Sequence, residues 1–327
     1  MIVQFSRTGN FASCLVLLLA VVASSSRVSS AERIESSAAS GMACERVFYT
    51  PAPQDIMQPV PKPGYASPII KLAQGVVAQR YNLTIKGNDE VAAKGRQGIL
   101  FAMNHPSFSD PAIVTIALRE YQPSPVMSLG VTQIPIIGKY VKCMADQIDA
   151  IYLPKKGTGL SSAERHAKIN ELIQETIERL KRGENIVLWP AGELMRENRS
   201  SLGSNRMIAE ILKAIPDVRV VLGRTSGMWG SAFGYAPTGQ LDIARAVKKG
   251  LEAEFYRLTT GPLTPRRDVG IELFEPADLP RDGGRATVNA YIENWYNSIN
   301  YPNISVPYNP VDRLRMGKQR VLPEGEK

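Results

Sequence analysis

The chain has 327 residues, 44% hydrophobic and 21% charged, an ordinary globular composition that excludes global disorder. Lys and Arg exceed Asp and Glu by 39 to 31, and the net charge of +8 favours an anionic partner such as phosphate groups, a lipid surface or nucleic acid. Nucleic acid is the weakest of these, because neither a dense basic run with interleaved aromatics nor a binding motif is present.

In chain order, "MIVQFSRTGN" with its single Arg, the apolar "FASCLVLLLAVVA" and the small residues of "SSSRVSSAER" form a signal-peptide pattern over residues 1–31. An uncleaved short anchor is the alternative, and the apolar run falls below the ~20 residues a spanning helix needs. Arg7 against Arg27 and Arg33 is too even a balance to set a membrane side. Cys14 lies in this leader. Cys44 and Cys143 remain, enough for one disulfide or two free thiols, and too few for a metal cluster.

Residues 32–66 are rich in Ser, Ala and Pro without a sustained period and read as a linker or an extended arm. The folded domain is expected over 67–300, followed by an extended tail over 301–327. "IIKLAQGVVAQRY" predicts a short helix, "LTIKG" a strand, and "GILFAM" (98–103) a buried strand. Pro106 disfavours helical geometry at His105, and Ser109 or Asp110 before Pro111 is a helix start. The next helix spans 162–182. Ser161 and Glu164 have capping-box spacing, and Ile169, Leu172, Ile173, Thr176, Ile177 and Leu180 make one apolar face. "NIVLW" (185–189), "VRVVLG" (218–223) and "VGIELF" (269–274) are short β-branched runs suited to a buried sheet, and 285–299 closes the domain as a helix. The alternation predicts a single α/β domain, a mainly parallel β-sheet covered by helices.

Such sheets bind ligands outside the carboxyl ends of their strands. Three segments arrive there, "NHPSFSD", "PAGELMRENR" and "RTSGMWGSAFG". The first holds His105, one of only 2 histidines. On one continuous helix His105 and Asp110 would stand ~140° apart, so only a turn can join them. The carboxylate can then fold back, fix the imidazole tautomer and stabilise its protonated form. A neutral histidine, with a reference pKa of about 6.5, is suited to removing a proton from an alcohol. The bland alternative has equal weight on spacing alone: Asp110 caps the helix and His105 bonds locally. His166, beside Arg165 and Lys168, reads as a surface residue.

"NHPSFSD" resembles the N-H-x-x-x-x-D block of the glycerophosphate and lysophospholipid acyltransferase family. The likeness continues in order through "LTIKG", "IPIIG", "AIYLPKK" and "VLWPAGE", over roughly residues 80–235. The resemblance implies a glycerolipid acyltransferase-like fold and acyl transfer without a cofactor. A hydroxyl activated by His105, with Asp110 orienting it, attacks the thioester of acyl-CoA or acyl carrier protein. It also implies a phosphate site. Lys155 stands at the family's second-block Arg, keeping the charge but losing the bidentate fork. Where the family has F-P-E-G-T, this chain has Trp189-Pro190-Ala191-Gly192-Glu193, so Ala191 replaces Glu and Leu194 falls at or near the next Arg.

Gly192 of the "PAGE" turn, with Arg196, Arg199 and Arg224, is expected to contact phosphate or head group in place of the missing charges. Salt bridges on a solvated loop are the alternative for the first two arginines. Gly227 and Gly230 are expected to serve turn geometry. The expected partners are a lipid acceptor, an acyl thioester donor and a membrane surface, with no metal and no nucleic acid. A non-catalytic lipid- or phosphate-binding protein, and a thioesterase or lipid hydrolase, are the competing readings.

Overall fold

The computed structural model describes residues 58–134, 138–154, 159–260, 265–307, 310–311, 314 and 320–322. The expected leader, most of the expected linker and Lys155 lie outside the described residues.

The elements follow the apolar periods. Helix α1 (Pro68–Arg80) leads into β1 (Tyr81–Lys86), α2 (Asn88–Ala93) and β2 (Ile99–Met103), and α3 (Asp110–Ala117) follows the turn after β2. Then come β3 (Ser124–Ser128), α4 (Gly138–Gln147), β4 (Ile151–Leu153) and α5 (Ser162–Lys181). The capping box of α5 is formed: the Glu164 N–H donates to Ser161 Oγ at 3.2 Å, and the Ser161 N–H to Glu164 Oε2 at 2.8 Å. After it come β5 (Ile186–Leu188), α6 (Met207–Ala214), β6 (Arg219–Ser226), α7 (Ile243–Thr260), β7 (Arg267–Phe274) and α8 (Gly284–Tyr296). Two short strands, β8 (Asn303–Ser305) and β9 (Arg320–Leu322), pair antiparallel.

The main sheet has 7 strands in the order β1-β7-β6-β2-β5-β3-β4. It is parallel except between β6 and β7, where Leu222 pairs Phe274 and Ser226 pairs Gly270. The starts of β1 and β7 therefore sit at the same sheet edge as the carboxyl ends of the other strands. Side chains alternate across the sheet with period 2. Leu100, Ala102, Leu188 and Leu222 meet Leu172, Ile177, Ile211 and Ile292 of α5, α6 and α8 on one face. Ile99, Phe101, Met103 and Val187 meet Val91 of α2 and Val114 of α3 on the other. Every residue of β2, the strand that carries the His105 loop, is buried.

The end of the Pro-rich segment is partly buried. Lys62 and Tyr65 are buried against the amino end of β3, where Lys62 Nζ donates to Ser124 Oγ at 2.6 Å and Tyr65 OH to the Pro123 carbonyl at 2.6 Å. A segment without a period looks like a linker in sequence and here serves as a strap. At the other end, the Ile304 N–H donates to the Trp229 carbonyl at 3.0 Å, and Arg267 donates to the carbonyls of Gly227 and Ile304 at 2.6 and 3.1 Å. Cys143, on α4, is disulfide-bonded, which removes the two-thiol alternative; its partner lies outside the described residues. Among the described residues no helix is long and apolar enough to cross a membrane.

Candidate active site

The turn that joins His105 to Asp110 is built from the residues between them. Asn104, fully buried, follows β2 and clamps it to β6: its carboxamide oxygen accepts the Thr225 N–H at 2.6 Å, and its Nδ2 donates to the Thr225 carbonyl at 3.3 Å. The chain then turns at Pro106, and the Asp110 N–H donates to the Ser107 carbonyl at 3.1 Å as α3 begins. Ser107 N–H donates to Asp110 Oδ2 at 2.7 Å, and the same oxygen faces His105 Nδ1 at 3.4 Å. That separation is at the long end for a hydrogen bond, as is common before substrate tightens a catalytic pair.

Exposure separates the two side chains. Asp110 is fully buried, whereas the His105 side chain is 15% exposed, so solvent reaches the imidazole and not the carboxylate. Burial raises the Asp110 carboxyl above its ordinary value; the hydrogen bond and charge of His105 and the Ser107 N–H work against that rise. With Nδ1 turned to Asp110, Nε2 is the nitrogen left for a substrate proton.

The other two segments close on this pair. The Met195 N–H donates to the His105 carbonyl at 2.8 Å, which fixes the loop after β5 against the histidine. The loop after β6 is fixed by the Phe108 N–H donating to the Phe233 carbonyl at 2.8 Å, and by Ser231 Oγ donating to Ser107 Oγ at 3.0 Å. Ser107 Oγ also lies 3.0 Å from Ser109 Oγ, so a string of hydroxyls links the His105 turn to the loop after β6. The Trp189 ring stands 5.8 Å from the His105 ring, tilted by 44°.

Of the expected substrate contacts, the structure brings Gly192, Arg196 and Arg199 to this edge through the Met195 anchor. Gly192 adopts φ +66°, and its N–H already donates to the Trp189 carbonyl at 2.9 Å. Arg196 and Arg199 are exposed. Arg196 lies 3.7 Å from Glu193 and over the Tyr235 ring at 5.0 Å.

Arg224 is not brought to His105. Alternation along β6 turns it to the opposite face, where it donates to Glu272 Oε2 at 2.7 Å and to Ser298 Oγ at 2.8 Å and stacks on Trp295. Gly227 and Gly230 meet turn requirements: at φ +82° and +89°, a Cβ would lie 2.2 Å from the Asp268 carbonyl oxygen and 2.4 Å from that of Ile304. Sequence reasoning passed over Asn104, Ser107, Trp189 and Ser231 as site residues. Asn104, Ser107 and Ser231 stand in segments read as arriving at the strand ends, and Trp189 is the last residue of the run read as a strand over 185–189.

An α/β sheet with a His–Asp pair at its carboxyl edge has the arrangement of a class of enzymes that take a proton from a reacting hydroxyl. Comparison with known proteins narrows that class. The family model described as Acyltransferase matches residues 82–228, the span that holds β2, the His105 turn and the loop after β5 that closes on it. Over that span the chain carries an acyltransferase-like domain. Among solved structures, the 1-acyl-sn-glycerophosphate (LPA) acyltransferase PlsC from Thermotoga maritima is similar over 70% of this chain and 76% of that one, at 15% identity and a TM-score of 0.44. No curated protein matches the chain.

Proposed function

We propose that the protein moves a fatty acyl chain from an acyl thioester to a hydroxyl of a lysophospholipid or glycerol-phosphate-like acceptor, with His105 as general base and Asp110 as its orienting partner. The observation that carries the reading is the 3.4 Å approach of the fully buried Asp110 carboxylate to Nδ1 of a solvent-reachable His105. Nε2 takes the hydroxyl proton as the oxygen attacks the thioester carbonyl, and the thiol leaves with that proton. His105, Asp110 and the two substrates balance the reaction, and no cofactor enters it. The donor is acyl-CoA or acyl carrier protein.

Arg196 and Arg199 supply the head-group contacts on the loop tied to His105, with Lys155 as the second-block cation; Gly192, its N–H committed to the Trp189 carbonyl, shapes the turn. Arg224 has no part in it, being committed to Glu272 and Trp295. The net charge of +8 supports work at an anionic membrane surface. The disulfide at Cys143 supports an oxidising compartment, in keeping with the leader-like residues 1–31 read as a signal peptide or a short anchor.

The test is incorporation of radiolabelled acyl chains from each donor into a panel of lysolipids. Wild-type protein is expected to transfer, and His105→Ala to lose transfer by about a hundredfold or more while its melting temperature changes little. Turnover of the Ala variant at the wild-type rate would sink the mechanism. Release of free fatty acid at the same rate with and without acceptor would replace transfer by hydrolysis.

A further inference from the structure

We infer that Trp189 is a catalytic donor in this transfer, its indole N–H holding the substrate carbonyl oxygen as that oxygen becomes anionic; the inference rests on the reading of His105 as base. Trp189 directly follows β5, whose Leu188 pairs with Ala102 of β2, so it stands beside the strand end that carries His105, with the rings 5.8 Å apart. It is 8% exposed, and its Nε1 is buried with no hydrogen-bond partner. A buried indole N–H normally finds an acceptor, and an unpaired one calls for an explanation. The backbone offers no substitute at this turn through Gly192, whose N–H is committed to the Trp189 carbonyl. The family block that this stretch resembles has Phe here, which carries no donor, so the N–H is a feature of this chain.

A donor without a ground-state partner is available when charge appears, which is the condition for selective stabilisation of a transition state. In the step, the acceptor hydroxyl gives its proton to His105 Nε2 and its oxygen bonds to the carbonyl carbon. The carbonyl π pair moves onto the oxygen and is held there by the Trp189 N–H. The pair then returns, the C–S bond breaks, and the thiolate takes the proton from His105.

The test is steady-state kinetics of Trp189→Phe on the full chain, beside His105→Ala, with lauroyl- to oleoyl-CoA as donors and lysophosphatidate and lysophosphatidylethanolamine as acceptors. Phe keeps a ring in the core and removes only the donor, so kcat is expected to fall about a hundredfold with KM nearly unchanged and no loss of melting temperature. Wild-type kcat in the Phe variant overturns the inference, as does a rise in KM that accounts for the whole loss in kcat/KM. If the Phe variant does not fold, Trp189→Met, which also lacks a donor, is measured against the same criteria. A dead His105→Ala beside a fully active Trp189→Phe removes the donor and leaves the base. An active His105→Ala removes the underlying reading instead.

Discussion

Burial raises the Asp110 carboxyl above its ordinary value, while His105 and the Ser107 N–H act in the opposite direction. A carboxyl with a raised folded pKa binds more protons in the native state than in the unfolded one between about 3.9 and its raised value. Stability therefore falls as pH rises through that window. Asp110→Asn removes this titration and keeps an oxygen that can accept the Ser107 N–H. The variant is expected to unfold at an equal or higher temperature than wild type at pH 7, with a flatter pH dependence in the acid range, and to lose about a hundredfold in kcat because the imidazolium loses its counter-charge.

Thermal melts from pH 4 to 7 with an activity assay check this; a destabilised variant with normal kcat would reduce Asp110 to a helix-start residue. At this scale the sequence was readable where chemistry and turn signals coincided. His105, Asp110 and Pro106 announce themselves, whereas the clamp of Asn104 on Thr225 and the Ser231–Ser107 contact join residues far apart in the chain, and only the folded sheet brings them together.

Among the elements, those with a strong period were legible and those with a mixed one were not. β2, α5, β5 and β6 fall where the apolar runs put them. β3 (SPVMS) contains a proline and few β-branched residues, and β4 has only 3 residues, so neither carries a strand signature. The orientation of β7 is also absent from its own composition, since "VGIELF" suits either direction.

The strap before α1 shows how little composition says about burial. Lys62 lies among Ser124, Glu184 and Arg179, and desolvation lowers its pKa to about 8 against the pull of Glu184. A lysine whose folded pKa is lowered binds fewer protons folded than unfolded, so stability rises with pH from about 8 toward 10. Above that range the buried Tyr65 phenol, its pKa raised by burial, works the other way. Lys62→Met leaves Glu184 with Arg182 at 2.7 Å and Arg179 at 3.8 Å, so no lone buried charge remains. The variant is expected to match or exceed wild-type stability at pH 7 and to lose the wild-type gain between pH 8 and 10. Urea midpoints at these pH values measure it, and an identical rise in both proteins would show that Lys62 is not the titrating group.

The molecule as a whole combines a sheet that was legible in outline with a compartment that was not. The two cysteines outside residues 1–31 allowed either a disulfide or free thiols, and only the fold brings Cys143 into a disulfide. A disulfide stabilises largely by restricting the unfolded chain, typically by about 2–4 kcal/mol, and that effect vanishes under reduction. Cys143 stands on α4, which packs against the strap turn at Pro63–Ala66. Loss of the bond is therefore expected to loosen the side of the sheet that holds β3 and β4 before it disturbs β2 and the His105 turn.

A melting temperature lower by several degrees in reductant, a Cys143→Ser variant that melts at the reduced value with or without reductant, and acyl transfer largely retained at 25 °C are the expected results. Hydrogen exchange resolves where the loosening falls: faster exchange in α4 and β4 with β2 still protected fits the argument. Simultaneous loss of protection in β2 would mean that the domain opens as one unit. A melting temperature indifferent to reductant would leave the compartment to be decided by fractionation of cells alone.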